Sequence, residues 1–204
     1  IILGLSVSSV LSAQTDSTQI KEIQEVSFTR RLPVSKEIIN VQKDLGAKNL
    51  GQDLPILLKN QMSVVATSDA GNGVRYTGFI IRGSAGTSIN VMLNGVPYND
   101  SESQGTFFVN IPDMASSASQ IVIQRGVGTS SNGTASFGAS VNILTKNPDE
   151  KPYVLGQFSA GSFNTMKTSF EAGSGKFLNN LLSVSARYST INSDGYIDRA
   201  FSKL

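Results

Sequence analysis

The chain of 204 residues has no cysteine and no histidine. These absences remove thiol nucleophiles, disulfides, Ser–His pairs and the usual zinc ligand sets. Cations held by oxygen ligands alone stay open. Charge is also scarce: Asp, Glu, Lys and Arg make up 16% of the residues, where soluble domains average about 25%. Net charge is +2 and no basic stripe is present, which argues against a nucleic-acid partner. Small polar residues take the place of charge, with 29 serines and 19 glycines. The apolar fraction of 39% is enough for a packed core.

Long hydrophobic runs are missing as well. The apolar stretch IILGLSVSSVLSA, residues 1–13, is too short for a spanning helix. It resembles the apolar and small-residue regions of a signal peptide, cleaved near Ser12 or Ala13. Without an initiator Met or a basic leader it reads as a partial signal; a buried N-terminal strand is the alternative. Residues 14–22 are polar. Then IQEVSFTRR, residues 23–31, sets Ile23, Val26 and Phe28 in polar surroundings, with Pro33 behind them. This suits a tethered strand that adds to a partner's sheet edge, or the first strand of the domain.

Residues 34–147 predict a small α+β domain: a mixed β-sheet with short helices. Strands are expected at 38–42, 62–66, 79–81, 89–93, 121–123 and 141–144. Asp53 and Asp113 are expected to cap short helices, and Asn94-Gly95 signals a tight hairpin. After Pro148 the pattern changes to alternation. Met166, Thr168, Phe170 and Ala172 share one face, and Thr165, Lys167, Ser169 and Glu171 the other. Residues 153–160 and 181–188 alternate likewise, with turns expected at 161–164 and 173–180. The pattern fits antiparallel strands of a transmembrane β-barrel or a soluble sandwich, and the export signal with the polar, lumen-like face favours the barrel.

No motif carries catalysis. RGVGTSSNG, residues 125–133, lacks the Lys and the spacing of a phosphate loop and reads as a Gly-rich turn. Asp100, Glu102 and Asp113 read as solvated loop charges rather than a glycosidase pair. Arg82 and Arg125 each end an apolar strand and precede Gly, which suggests paired roles.

Six stretches, in order, resemble the plug domain of TonB-dependent outer-membrane receptors. IQEVSFTRR is similar to a TonB box and its flank, and QDLPILLKNQMSV (52–64) to the first plug helix and strand. GFIIRG (78–83) resembles the family's IRG strand, and VMLNGVPYND (91–100) its DGVP hairpin, with Asn94 for the commoner Asp. IPDMASSASQIVIQRG (111–126) resembles the segment leading to RG, with Val127 where Pro is usual. FGASVNILTK (137–146) resembles the closing strand, with Ala139-Ser140 for Gly-Gly.

The resemblance implies a partial signal at 1–13, a tether with the box at 14–33, a plug at 34–147 and the first barrel strands at 152–204. Fold class is then an α+β plug followed by antiparallel strands of an outer-membrane barrel of about 22 strands. It implies a receptor rather than an enzyme, with no cofactor. The plug would sit in the barrel lumen with its N-terminus periplasmic. Ile23, Gln24, Glu25, Val26, Ser27, Phe28 and Thr29 would form the box that binds TonB and its inner-membrane energising complex. Arg82 and Arg125 would pair with barrel glutamates beyond Leu204. Apical loops with Ser84, Ala85, Gly86 and Thr87, and Ser101, Glu102, Ser103 and Gln104, would face the ligand. That ligand is expected to be a ferric siderophore or another metal chelate, and the barrel's outer face would meet membrane lipid. The rival readings are an exported β-rich adhesion module and a secreted hydrolase.

Overall fold

The computed structural model describes residues 36–127, 136–147, 149–178 and 181–204. The expected signal remnant, tether and box, and residues 128–133 of the Gly-rich turn, lie outside these residues. The first part of the described chain holds strands β1 (Lys36–Asn40), β2 (Val64–Ser68), β3 (Thr77–Ile81), β4 (Ile89–Leu93), β5 (Val96–Pro97), β6 (Ala118–Arg125) and β7 (Ala139–Thr145). Two one-turn helices, α1 (Leu54–Leu57) and α2 (Met114–Ser117), interrupt them. Five strands form a mixed sheet in the order β1-β6-β7-β4-β5, and β2 pairs with β3 apart from it. Only β4 and β7 run parallel.

The core follows from period-two apolar residues on neighbouring strands. Across β6, β7 and β4 the register lines up Ile121, Ile143 and Leu93 in one row, and Ile123, Val141 and Val91 in another. β-Branched side chains stacked this way favour a strand and fill one face of the sheet. Leu54 and Leu57 from α1 and Leu58 just after it, with Phe79 and Ile81 from β3, complete the same core. The rings of Phe79 and Phe108 meet at 5.3 Å. Asn94 and Gly95 both take positive φ, 52° and 83°, which is the turn geometry that an Asn-Gly pair accommodates.

One strand starts and ends earlier than its apolar pattern implied. The strand expected at 38–42 is β1, and Val41–Leu45 curl into a single wide helical turn. The side chain of Asn40 accepts from the Lys43 N–H at 3.1 Å, and the Asn40 N–H donates to Asp44 Oδ2 at 2.9 Å. These local bonds replace ladder bonds and stop the strand.

The second part is a meander of long strands: β8 (Tyr153–Gly161), β9 (Thr165–Phe177), β10 (Leu182–Ser193) and the short β11 (Ser202–Lys203). They stand in the order β11-β10-β9-β8 with antiparallel pairing throughout. The turn expected over 173–180 is mostly strand. Gly173 and Gly175 serve within β9: a Cβ at Gly173 would collide with the Tyr153 ring, and Gly175 has φ +66°. The register slips there, between Ser183 and Ser185 of β10. Glycine here marks a bulge and a close approach instead of a turn.

The sandwich alternative fails on which face is buried. On β9 the polar residues Lys167 and Ser169 are buried, while Met166 and Phe170 are exposed. Val154 and Phe158 on β8 and Val184 and Tyr188 on β10 are exposed too, Val154 by 84%. A soluble sandwich buries its apolar faces; a membrane barrel wall does the reverse. Among the described residues no helix is long and apolar enough to cross a membrane, which says nothing about strands.

Truncating the innermost rung should be severe. Ile121→Ala, at a fully buried position, is expected to destabilise the α+β domain by about 2–5 kcal/mol. A lower urea midpoint at unchanged slope in equilibrium unfolding checks it.

Candidate functional site: a buried ionic seam

β9 turns one cation inward. Lys167 lies on the strand's polar face between Ser159 and Ile191 of the neighbouring strands, and only 1% of it is exposed. Burying an ammonium demands a partner, because desolvation of an unpaired charge is several kcal/mol. The partner comes from the α+β domain. Lys167 Nζ donates to Asp113 Oδ1 at 2.6 Å, to Ser116 Oγ at 2.8 Å and, more weakly, to Asn49 Oδ1 at 3.4 Å.

Asp113 is also held from β10. Arg187 Nη1 donates to its Oδ2 at 2.5 Å, and Ser189 Oγ donates to the same oxygen at 2.8 Å. Arg187 Nη2 reaches Ser117 Oγ at 2.7 Å. Ser116 Oγ donates to Asp113 Oδ1 at 2.5 Å and accepts from Asn49 Nδ2 at 2.9 Å. Burial alone would raise the Asp113 carboxyl, but the bonds from Lys167 and Ser116 outweigh it and hold it below the usual carboxylate range.

Asp113 is therefore no solvated loop charge, and its side chain does not cap α2. It sits before α2 with φ 52° and makes no side-chain bond to the helix backbone. The left-handed backbone accompanies a carboxylate aimed at the wall. Gly51 helps from the other side: a Cβ there would stand 3.3 Å from the Lys167 stem. Its absence lets the domain's backbone lie on the lysine's methylenes.

Further contacts extend the seam. Lys146 pairs with Glu171 at 3.2 Å, and Tyr153 Oη donates to Glu171 Oε1 at 2.7 Å. Asn72 Nδ2 donates to Ser193 Oγ at 3.1 Å, and the Tyr196 N–H to the Ala70 carbonyl at 3.2 Å. A cavity of about 110 Å³ remains between domain and wall, lined by polar residues such as Asn49, Ser116, Gln157 and Glu171 and by apolar ones such as Val41 and Leu155.

Asp53 is a second buried carboxylate. Its backbone carbonyl accepts the first bonds of α1, but its side chain accepts from Thr77 Oγ1 at 2.9 Å instead of capping. Burial pushes it up to about 6, with Thr77 acting the other way.

The two Arg-Gly ends come together. Arg125 is buried and forms an ion pair with Glu37 of β1, and its Nε donates to the Met62 carbonyl at 2.9 Å. Arg82 is exposed, its N–H bonded to the Ser63 carbonyl at 3.0 Å. Its Nη1 lies 3.3 Å from where a Gly126 Cβ would be. Ala85, Gly86 and Thr87 are exposed and Ser84 is half-buried, beside Gly138. Residues 101–104 are exposed, and Asn99 ties their loop to the Ile89 carbonyl of β4 at 2.9 Å. Both loops thus border one end of β4. Residues 23–29 lie outside the described residues.

An α+β domain seated on the polar face of an inside-out strand meander is the architecture of a plugged barrel. A family model for the TonB-dependent receptor plug domain matches residues 29–140, and the chain belongs to that family. No curated protein matches it by sequence. Among solved structures it is similar to the copper transporter OprC, at 15% identity, TM-score 0.62, over 83% of this chain and 26% of that one. The siderophore receptor PirA from Acinetobacter baumannii matches at 17% identity, TM-score 0.57, over 79% and 25%. The pyoverdine outer-membrane receptor FpvA from Pseudomonas aeruginosa matches at 13% identity, TM-score 0.61, over 79% and 22%. At such identities the likeness is one of fold. The chain spans about a quarter of the length of these receptors.

Two outcomes test the seam. Asp113→Ala leaves Lys167 buried without a carboxylate and should weaken the plug by about 3–5 kcal/mol, read as a lower urea midpoint of plug unfolding. Asp53 works in the opposite direction with pH. Its folded value lies above its ordinary 3.8, so its contribution is full below pH 3.8 and is lost as pH rises through about 6. Asp53→Asn should flatten that part of the stability–pH curve; an unchanged slope between pH 4 and about 6 would count against the assignment.

Proposed function

We propose that this chain is the plug and the first wall strands of a receptor that actively imports a scarce extracellular ligand across the outer membrane. The observation that carries the reading is the inverted wall: polar residues of β9 grip the plug while apolar residues face outward. Such a surface is stable only against lipid, and a plug held by polar contacts can be moved without tearing a dry core. The ligand class we favour is a ferric siderophore or another metal chelate. The structurally similar receptors include a siderophore receptor and a copper transporter, and this supports the choice.

In this reading the domains run 1–13 (partial signal), 14–33 (tether), 34–147 (plug) and 152–204 (wall). Residues 23–29 are the TonB box, released to the periplasm when ligand binds. The box adds a strand to TonB, whose main-chain bonds carry the pull. The inner-membrane complex supplies the energy, and the plug then shifts to open a path. The loops at 84–87 and 101–104 are proposed to meet the ligand, and Arg82 and Arg125 to steady the plug. Nothing in this scheme asks the chain to catalyse a reaction. An adhesion module would leave the ionic seam between plug and wall without a purpose.

Proline has no N–H to donate to a ladder, so Val26→Pro should abolish TonB capture and uptake while ligand binding persists. Pull-down with TonB's periplasmic domain, beside ligand uptake in cells, checks both halves. Uptake at the wild-type rate would remove residues 23–29 from the box. Replacing Arg82 and Arg125 together with Gln should loosen the plug and raise sensitivity to large antibiotics; unaltered permeability would argue against the steadying role.

A further inference from the structure

We infer that the wall carries an anion-binding station, formed by Lys167, Arg187 and Ser189 and occupied at rest by the carboxylate of Asp113. Two cations face one carboxylate at this point of the seam. The other carboxylates nearby take their hydrogen bonds from other groups, although Glu171 lies opposite Arg187 in the β9–β10 register. Glu171, on the same face of β9, is held by Lys146 and Tyr153. Asp53 accepts from Thr77.

The division of groups between domain and wall is what gives the cluster its meaning. Lys167 Nζ, Arg187 Nη1 and Ser189 Oγ all donate to Asp113, and all three belong to the wall. Lys167 takes its carboxylate contact from the plug, while Arg187 also lies opposite Glu171 of β9. If the plug moves, the wall keeps a preformed set of donors on its inner face. Of these donors Lys167 is the one left without a counter-ion, which is strongly unfavourable in such a site.

A free carboxylate supplies what Asp113 supplies. One oxygen fits Lys167, and the other fits Arg187 and Ser189, through charge-assisted bonds. There is room beside the present occupant. A cavity of about 180 Å³, lined by Pro112, Asp113, Arg187, Ser189, Ile191 and Leu204, opens onto this carboxylate. The ligand class is therefore a small molecule bearing exposed carboxylates. In an importer, a cargo of that kind takes over the partners of Asp113 and offsets the loss incurred when the plug shifts. This last step rests on the import function proposed above; the binding itself does not.

The test is chemical rescue in the intact receptor, purified in detergent. Asp113→Ala empties the carboxylate position. Sodium acetate should then raise the urea midpoint of plug unfolding with the logarithm of its concentration, as mass action requires. Sodium chloride at the same ionic strength should not, and wild-type protein should respond equally to the two salts. Adding Lys167→Gln to Asp113→Ala should remove the acetate effect. If Asp113→Ala does not fold in chloride, the yield of folded receptor in acetate over chloride becomes the readout. Equal response of Asp113→Ala to acetate and chloride would overturn the station, as would rescue that survives without Lys167. Neither TonB nor uptake enters the measurement. A failed rescue would leave the import function standing, and a failed import assay would leave the station standing.

Discussion

A lysine ammonium withdrawn from water requires a compensating charge, and in this protein the requirement links two different pieces of architecture. Lys167 projects from the wall into a space closed by the α+β domain, and Asp113 enters from the opposite side. The backbone around each residue follows from that pairing. Gly51 leaves room for the lysine stem, and Asp113 takes a left-handed conformation that directs its carboxylate outward. Ser116, Ser117, Ser189 and Asn49 fill the remaining donor and acceptor positions. A buried ion pair satisfied to this degree adds little net stability over a dry contact, but it fixes register and orientation strongly. It also leaves an interface that water or a polar solute can replace bond for bond.

The contrast with the domain's own core is physical. Between β4, β6 and β7 the contacts are β-branched, dry and close-packed. Between domain and wall they are polar, and a cavity remains among them. The first kind of packing resists any partial opening, since each methyl removed leaves a void. The second tolerates sliding and exchange. Under the import function proposed above, a plug that stays folded while leaving its seat needs both kinds, in those places.

Much of the fold could be read from local chemistry. The strand at 89–93, the Asn94-Gly95 turn and the alternation after Pro148 depend only on propensity, turn geometry and period. The family resemblance rests on the same stretches. Where the expectation slipped, a side chain was competing with the backbone or standing in for it. Asn40 and Asp44 stopped β1 early, and Gly173 and Gly175 formed a bulge within a longer strand. Each depends on a neighbour that local pattern does not reveal.

Asp113 and Lys167 mark the limit of what the chain shows by itself. Alternation told that Lys167 shares a face with Ser169 and Glu171, and short-range signals told that Asp113 begins a helical turn. Neither could tell that the two meet across 54 positions of chain, because a charge in a strand looks the same whether it faces solvent or a buried acid. Which face of the wall turns inward could not be read from alternation alone, since a sandwich and a barrel share it. Periodicity depends on backbone geometry alone and is written in sequence. Burial depends on what lies opposite, and only the assembled fold puts the plug there.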